Sequence, residues 1–166
     1  MQITTWNKLD DAWKKIILFS IKVQEHTIES DKVHQLIEKE NDLSKVYQSL
    51  FDETLEVIKW PDFTFFNRLI PLDRIYASYQ KIDTTDPLMF FPLIKVAYLN
   101  NTSIFELDAL MLCSSLEELY INDTDVMDLQ PIMNHSLKIL NITGLDIEQS
   151  DLDTVILRQP NVEIIK

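Results

Sequence analysis

The sequence is poor in glycine and cysteine. Its 166 residues contain one glycine, Gly144, and one cysteine, Cys113. A single glycine excludes the loops rich in glycine that bind phosphate groups. A single cysteine excludes an internal disulfide and a zinc site built from several cysteines. Cys113 follows the apolar run 110–112, so we interpret it as a small buried residue rather than a reactive thiol. We expect neither a cofactor nor a bound metal.

Basic residues and long apolar runs are also scarce. The net charge is −12, and most of the acidic excess falls after residue 54. Nucleic acid and anionic membranes require clustered lysine and arginine, so we expect neither as a partner. No apolar run approaches the roughly 18 residues that would cross a membrane. The N-terminus lacks the pattern of a secretory signal peptide, so the expected location is the cytoplasm.

The chain nevertheless has the apolar residues that a folded core requires. Hydrophobic residues make up 46% of the sequence and aromatic residues 10%, which favours one folded domain over disorder. No motif of a serine hydrolase or a zinc peptidase is present. His26, His34 and His135 are far apart and have no metal-ligand partner at helical spacing, so we interpret each as a surface residue. We therefore predict that the protein is not an enzyme.

The first 54 residues have the pattern of three helices. Apolar residues at helical spacing predict an amphipathic helix over residues 6–23. A second short helix is predicted from Ser30 or Asp31 to Ile37, and a third begins near Asp42. We interpret residues 1–54 as a helical capping segment. Two arrangements remain open: the helices cap the end of the core, or they cover the concave face of the following repeats.

Residues 55–166 repeat a pattern of apolar residues at positions 0, 3, 5 and 10. Units start at Leu72, Ile94, Leu116 and Leu137, roughly 22 residues apart, as in leucine-rich repeats. A degenerate earlier unit starts near Leu55, and residues 162–165 form a closing strand. Positions 3 and 5 lie on one side of a short strand because strand side chains alternate. The predicted fold is an α/β leucine-rich-repeat solenoid with short parallel strands, preceded by an N-terminal helical cap.

The candidate binding surface consists of the strand positions that alternate with the buried ones. Positions 2, 4 and 6 are expected to face the concave side of the solenoid, and they carry a column of tyrosines beside amide and charged groups: Tyr76, Tyr98, Tyr120, Asn100, Asn122, Asn141, Arg74 and Glu118. Tyrosine is favoured at interfaces because a rigid apolar ring carries a polar tip. In the alternative interpretation, the tyrosines stabilise neighbouring strands or lie beneath the helical segment.

Residues 116–132 read Leu-x-x-Leu-x-Ile-x-x-Thr-x-Val-x-Asp-Leu-x-Pro-Ile, which resembles the repeats of bacterial, internalin-like proteins. The opening pattern over residues 6–16, Trp-Asn-x-Leu-Asp-x-x-Trp-Lys-Lys-Ile, is similar to the leader of short bacterial leucine-rich-repeat proteins. The last unit, over residues 147–165, resembles their closing unit. The resemblance implies a protein-interaction scaffold without a cofactor or catalytic residues.

Together these observations predict a monomeric, non-catalytic module that binds a protein partner through its concave face. The acidic character also suits a stoichiometric inhibitor or immunity-type protein that binds a basic toxin or enzyme. A structural subunit and an enzyme are the remaining alternatives.

Overall fold

The computed structural model describes residues 6–57 and 71–166, and within these ranges the chain forms four α-helices and five strands. Helices α1, α2 and α3 precede the sheet, and α4 lies between the last two strands. The helices are α1 (Asp11–Glu25), α2 (Ser30–Glu40), α3 (Leu43–Phe51) and α4 (Gln149–Arg158). The strands are β1 (Arg74–Tyr76), β2 (Val96–Tyr98), β3 (Glu118–Tyr120), β4 (Ile139–Asn141) and β5 (Glu163–Ile165).

The five strands form one parallel sheet in sequence order. Ile75 pairs with Ala97, Ala97 with Leu119, and Leu119 with Leu140, and all four side chains are fully buried. These are the residues that the sequence pattern assigns to position 3. Short 3-10 helices return the chain between strands at Asp86–Phe90, Asp108–Leu112 and Gln130–Ile132. The α/β leucine-rich-repeat solenoid with an N-terminal helical cap is therefore confirmed.

A residue in the left-handed conformation follows each of the first four strands, three positions after the strand ends. Tyr79, Asn101, Asp123 and Gly144 have φ values of 64°, 56°, 55° and 79°. Asparagine, aspartate and glycine tolerate this conformation best, and tyrosine is strained in it. A Cβ atom at Gly144 would lie 2.7 Å from Oδ1 of Asp123. The only glycine of the sequence therefore lies where both the backbone angle and the available space favour glycine.

Helix α1 closes the free edge of β1. The Oγ atom of Ser20 accepts a hydrogen bond from the backbone N–H of Tyr76 at 3.1 Å. Gln24 donates to the carbonyl of Pro71 at 2.6 Å and accepts from the N–H of Asp73 at 2.8 Å. An exposed edge strand offers unpaired backbone groups to other chains. Here α1 satisfies these groups within the molecule.

The start of α1 differs from the predicted one. The helix begins at Asp11, because the carboxylate of Asp10 accepts the backbone N–H of Trp13 at 2.7 Å and caps it. Residues Trp6–Lys8 form a separate 3-10 turn instead. The third predicted helix starts as expected, since the Asp42 side chain accepts the N–H of Ser44 at 2.9 Å.

One hydrophobic core joins the helices to the repeats. Ile16 and Phe19 of α1 belong to the same buried cluster as Leu72 and Leu116 of the repeats. The residues that define the degenerate early unit after Leu55, over 58–65, lie outside the described residues. The boundary predicted at residue 54 therefore stays a prediction. No helix within 6–57 or 71–166 combines the length and the apolar character needed to span a membrane.

Candidate functional site: the concave face

Three tyrosine rings stack along the concave side of β1, β2 and β3. The rings of Tyr76 and Tyr98 are 5.4 Å apart between centroids with an interplanar angle of 13°. Tyr98 and Tyr120 are 4.8 Å apart at 17°. The strands pair in register, so residues at the same repeat position are separated by about one strand spacing. The repeat therefore places these rings in one continuous column.

Helix α2 covers the first two tyrosines of this column. The hydroxyl of Ser30 accepts a hydrogen bond from Tyr76 at 3.1 Å and shares another with the phenol of Tyr98 at 2.8 Å. One turn further along α2, the His34 ring stacks on Tyr98 with a centroid distance of 4.6 Å. His34 is therefore more than the surface residue that the sequence predicts, because its partly exposed ring packs on Tyr98. Its ring belongs to the aromatic packing of the concave face.

Burial separates the predicted binding residues into two groups. Tyr76 is 1% exposed, Tyr98 5% and Asn100 2%. Phe19 of α1 packs edge-on against Tyr76 at 5.9 Å. Asn100 accepts a hydrogen bond from the buried hydroxyl of Ser78 at 2.6 Å. A partner cannot reach the two tyrosines while α1 and α2 hold this position, and Asn100 is itself buried. Of the two arrangements left open by the sequence, α1 caps the edge of the sheet and α2 covers the face.

The concave face remains partly open from β3 onward. Tyr120, Glu118, Asn122 and Asn141 are each partly exposed. The carboxylate of Glu118 accepts the phenol O–H of Tyr120 at 3.0 Å. Asn122 donates to the carboxylate of Asp123 at 3.0 Å. These four predicted residues form a contiguous polar and aromatic surface, which we call the open face.

Asn141 on β4 and Ile165 on β5 form the far end of the open face. Asn141 accepts hydrogen bonds through Oδ1 from the backbone and the hydroxyl of Thr143, at 3.1 and 2.9 Å. In the sheet, Asn141 lies beside Ile165, which is 37% exposed. The open face thus continues across β4 to β5.

Arg74 lies apart from the open face. Its partly exposed side chain borders a crevice between the α1–α2 connection and β1, together with Ser30 and Gln24. Its Nε atom is 3.9 Å from the carboxylate of Asp73. Glu118 lies two strands away, so the two charged residues predicted to belong to one binding surface lie at different places on the molecule.

The electrostatics of the tyrosine column oppose ionisation. Burial raises the pKa of Tyr76 and of Tyr98 above the usual value. Burial also raises the pKa of Tyr120, and the hydrogen bond to Glu118 raises it further. All three phenols therefore stay neutral and act as hydrogen-bonding groups at physiological pH. Within the described part of the chain, no three side chains of the types that bind metals converge on a point.

Sequence reasoning missed the residues that cover the column. Ser30 and His34 are spaced by four residues, so both fall on one face of α2. Ser20 and Gln24 have the same spacing on α1. This spacing identifies a shared helix face, but the surface that the face contacts is set by tertiary packing. Nothing in the local sequence distinguishes a helix face that packs on the sheet from an exposed polar face.

Comparison with known proteins supports the fold. No protein family and no curated protein matches the sequence. Among solved structures, an internalin from Listeria monocytogenes is similar over 57% of this chain, with 21% identity and a TM-score of 0.50. A second internalin of the same organism, internalin C2, is similar over 51% of the chain with 27% identity and a TM-score of 0.43. The chain spans only 27% and 36% of the lengths of these two proteins.

The fold and the first comparison together define the class of protein. This chain has a leucine-rich-repeat fold whose N-terminal helices cap the first strand and cover part of the concave face. The internalin likeness concerns the fold alone. The predicted similarity of residues 6–16 to the leader of short bacterial repeat proteins stays a prediction.

Proposed function

We propose that this chain is a non-catalytic module that binds another protein through the open face. The observation that carries the proposal is the contrast along one column of residues: Tyr76 and Tyr98 are covered by α2, whereas Tyr120 remains partly exposed. Tyr120 is also fixed in place, by stacking on Tyr98 and by its hydrogen bond to Glu118. A rigid, amphipathic aromatic residue loses little conformational entropy when a partner binds.

Within this proposal, the predicted binding residues take different roles. Tyr120 is the anchor, Asn122 and Asn141 offer hydrogen bonds, and Glu118 selects for charge. Tyr76 and Tyr98 lie beneath α2, and the buried Asn100 bonds to Ser78, so these three residues support the surface rather than contact the partner. The proposed module is a monomer, and α1 supports this by occupying the β1 edge, one of the two sheet edges through which a second copy could pair.

The proposal is tested by capture of a partner from a lysate of the organism that encodes the chain. The wild type is compared with a Tyr120→Ala/Asn141→Ala double variant. The matched control is Met111→Ser/Met127→Ser, since these methionines are 63% and 70% exposed and lie outside the concave strands. Circular dichroism verifies that all three proteins are folded.

We expect a protein that the wild type and the methionine variant retain and the open-face variant loses. Truncating a hot-spot anchor costs about 2 kcal/mol or more, or roughly thirtyfold in affinity. If the open-face variant retains the captured protein as well as the wild type does, the binding surface lies elsewhere and the proposal is wrong.

A further inference from the structure

The tyrosine column ends at Tyr120 with one ring face unstacked. One face of the Tyr120 ring lies against Tyr98 at 4.8 Å, and His34 is tilted toward the ring at 6.4 Å. On the next strand, the residue in register with Tyr120 is Asn141, which has no ring. Among the described residues, no aromatic side chain covers the side of Tyr120 that faces β4. Asn141 is shorter than tyrosine and its side chain is held by Thr143, so it can cover only the inner part of this ring face, and Tyr120 remains partly exposed.

The surroundings of this ring face are negatively charged. Glu118 uses Oε2 to accept the Tyr120 hydroxyl, which leaves Oε1 for a second donor. Glu163 of β5 shares the repeat position of Glu118, with Ile139 between them. Asp31 at the start of α2 is exposed and contributes with Glu118 to the raised pKa of Tyr120.

One basic residue close to Glu118, Lys138, is already engaged. Lys138 bonds to the carboxylate of Glu117 at 2.5 Å. That pairing is the main reason why the pKa of Lys138 is raised, and Glu118 adds a smaller contribution. Arg74 influences Tyr76 and Tyr98 but lies on the first strand, beyond the covered part of the face. Among the described residues, Glu118 forms no ion pair of its own, so its carboxylate can pair with a cation from outside the chain.

We propose that an arginine side chain of the protein partner binds here, with its guanidinium over the free face of Tyr120 and hydrogen-bonded to Glu118. This inference rests on the proposed function and names the chemistry of the partner. A guanidinium is planar, stacks on aromatic rings and matches the two oxygens of a carboxylate. A lysine ammonium is more strongly hydrated and cannot stack in this way. The acidic residues beside the ring also favour the approach of a basic segment.

The arginine site is tested by NMR titration of the isotope-labelled protein with N-acetyl-arginine amide. N-acetyl-citrulline amide has nearly the same shape without the charge and serves as the matched ligand. We expect saturable shifts of the Tyr120 ring and the Asn141 amide, and affinity for the arginine amide about fivefold or more above that for the citrulline amide.

Two variants that each remove one negative charge test whether Glu118 is the carboxylate that binds the arginine amide. Glu118→Gln should weaken binding of the arginine amide about threefold or more, because it removes the charge beside the ring. Asp153→Asn, on α4, removes one negative charge away from the open face and should leave the affinity close to that of the wild type. Tyr120→Leu should abolish the localised shifts while retaining an apolar side chain.

Three results would overturn the inference: equal affinity for both amides, equal effects of the two charge variants, or the largest shifts away from Tyr120. The proposed function is judged separately by the capture experiment. If the Tyr120→Ala/Asn141→Ala protein loses a captured partner but the arginine amide does not bind at Tyr120, the arginine inference is wrong and the open face is retained. If the amide binds at Tyr120 but the Tyr120→Ala/Asn141→Ala protein still retains the captured partner, the proposed function is wrong.

Discussion

The hydroxyl of Ser30 lies 2.8 Å from the phenol oxygen of Tyr98, joining the N-terminal helices to the middle of the concave face. The same hydroxyl accepts the phenol O–H of Tyr76. One small side chain on α2 thus satisfies two nearly buried phenols. A hydrophobic residue at this place would leave both without this partner. The contact explains how a polar column of tyrosines is buried without unpaired hydroxyl groups.

Removing the Ser30 hydroxyl should destabilise the protein. Ser30→Ala leaves two phenols without their shared partner, and we expect a loss of about 1–3 kcal/mol in the free energy of unfolding, measured with urea. The matched control is Ser150→Ala, also near a helix start, where the exposed hydroxyl makes only a 3.5 Å contact with Glu148. Its effect should stay within about 0.5 kcal/mol. Equal losses in the two variants would mean that Ser30 does not hold α2 on the tyrosines.

Substitution of the single glycine should also destabilise the fold. Gly144→Ala places a Cβ atom in a residue with φ of 79° and close to the Asp123 carboxylate, so we expect a loss of about 1–2 kcal/mol. Asn101→Gly, at the same position of an earlier repeat, has a compatible backbone angle and should change the stability by less than about 1 kcal/mol. Urea unfolding of both variants tests the account. A tolerated Gly144→Ala would contradict it.

The sequence allowed the strands to be located but not the covering of the face. Ile75, Ala97, Leu119 and Leu140 recur at one repeat position, and their pairing follows because stacked units must bury that position together. The residues with positive φ that follow the strands were also partly recognisable in the sequence, since Asn101, Asp123 and Gly144 are residue types that favour this conformation. The position of α2 over the tyrosines had no such signal in the sequence. Its contact with Tyr98 depends on the fit between surfaces that are distant in sequence, which residue spacing along one helix does not encode.

Alkaline pH should destabilise the protein partly through Cys113. The thiol is fully buried and burial raises its pKa to about 12, whereas a free cysteine titrates near 8.5. The unfolded chain therefore loses the thiol proton first. Stability from this group is complete below about pH 8.5 and falls as the pH rises toward 12. Between pH 7.5 and 10.5 the wild type should lose about 2.5 kcal/mol more unfolding free energy than Cys113→Ala.

The comparison of these two proteins isolates the thiol, because the buried tyrosines contribute equally to both pH profiles. Urea unfolding at the two pH values gives the difference directly. Identical losses for the wild type and Cys113→Ala would show that the thiol ionises as readily in the folded protein as in the unfolded chain.

The central claim is that α2 covers Tyr76 and Tyr98 and leaves Tyr120 accessible. It is tested most directly by NMR of the labelled protein with a soluble paramagnetic probe, which broadens the resonances of exposed groups. We predict that the ring signals of Tyr120 are broadened while those of Tyr76 and Tyr98 are retained, and that a nuclear Overhauser effect connects the rings of His34 and Tyr98. Similar broadening of all three tyrosines, with no contact to His34, would contradict the account.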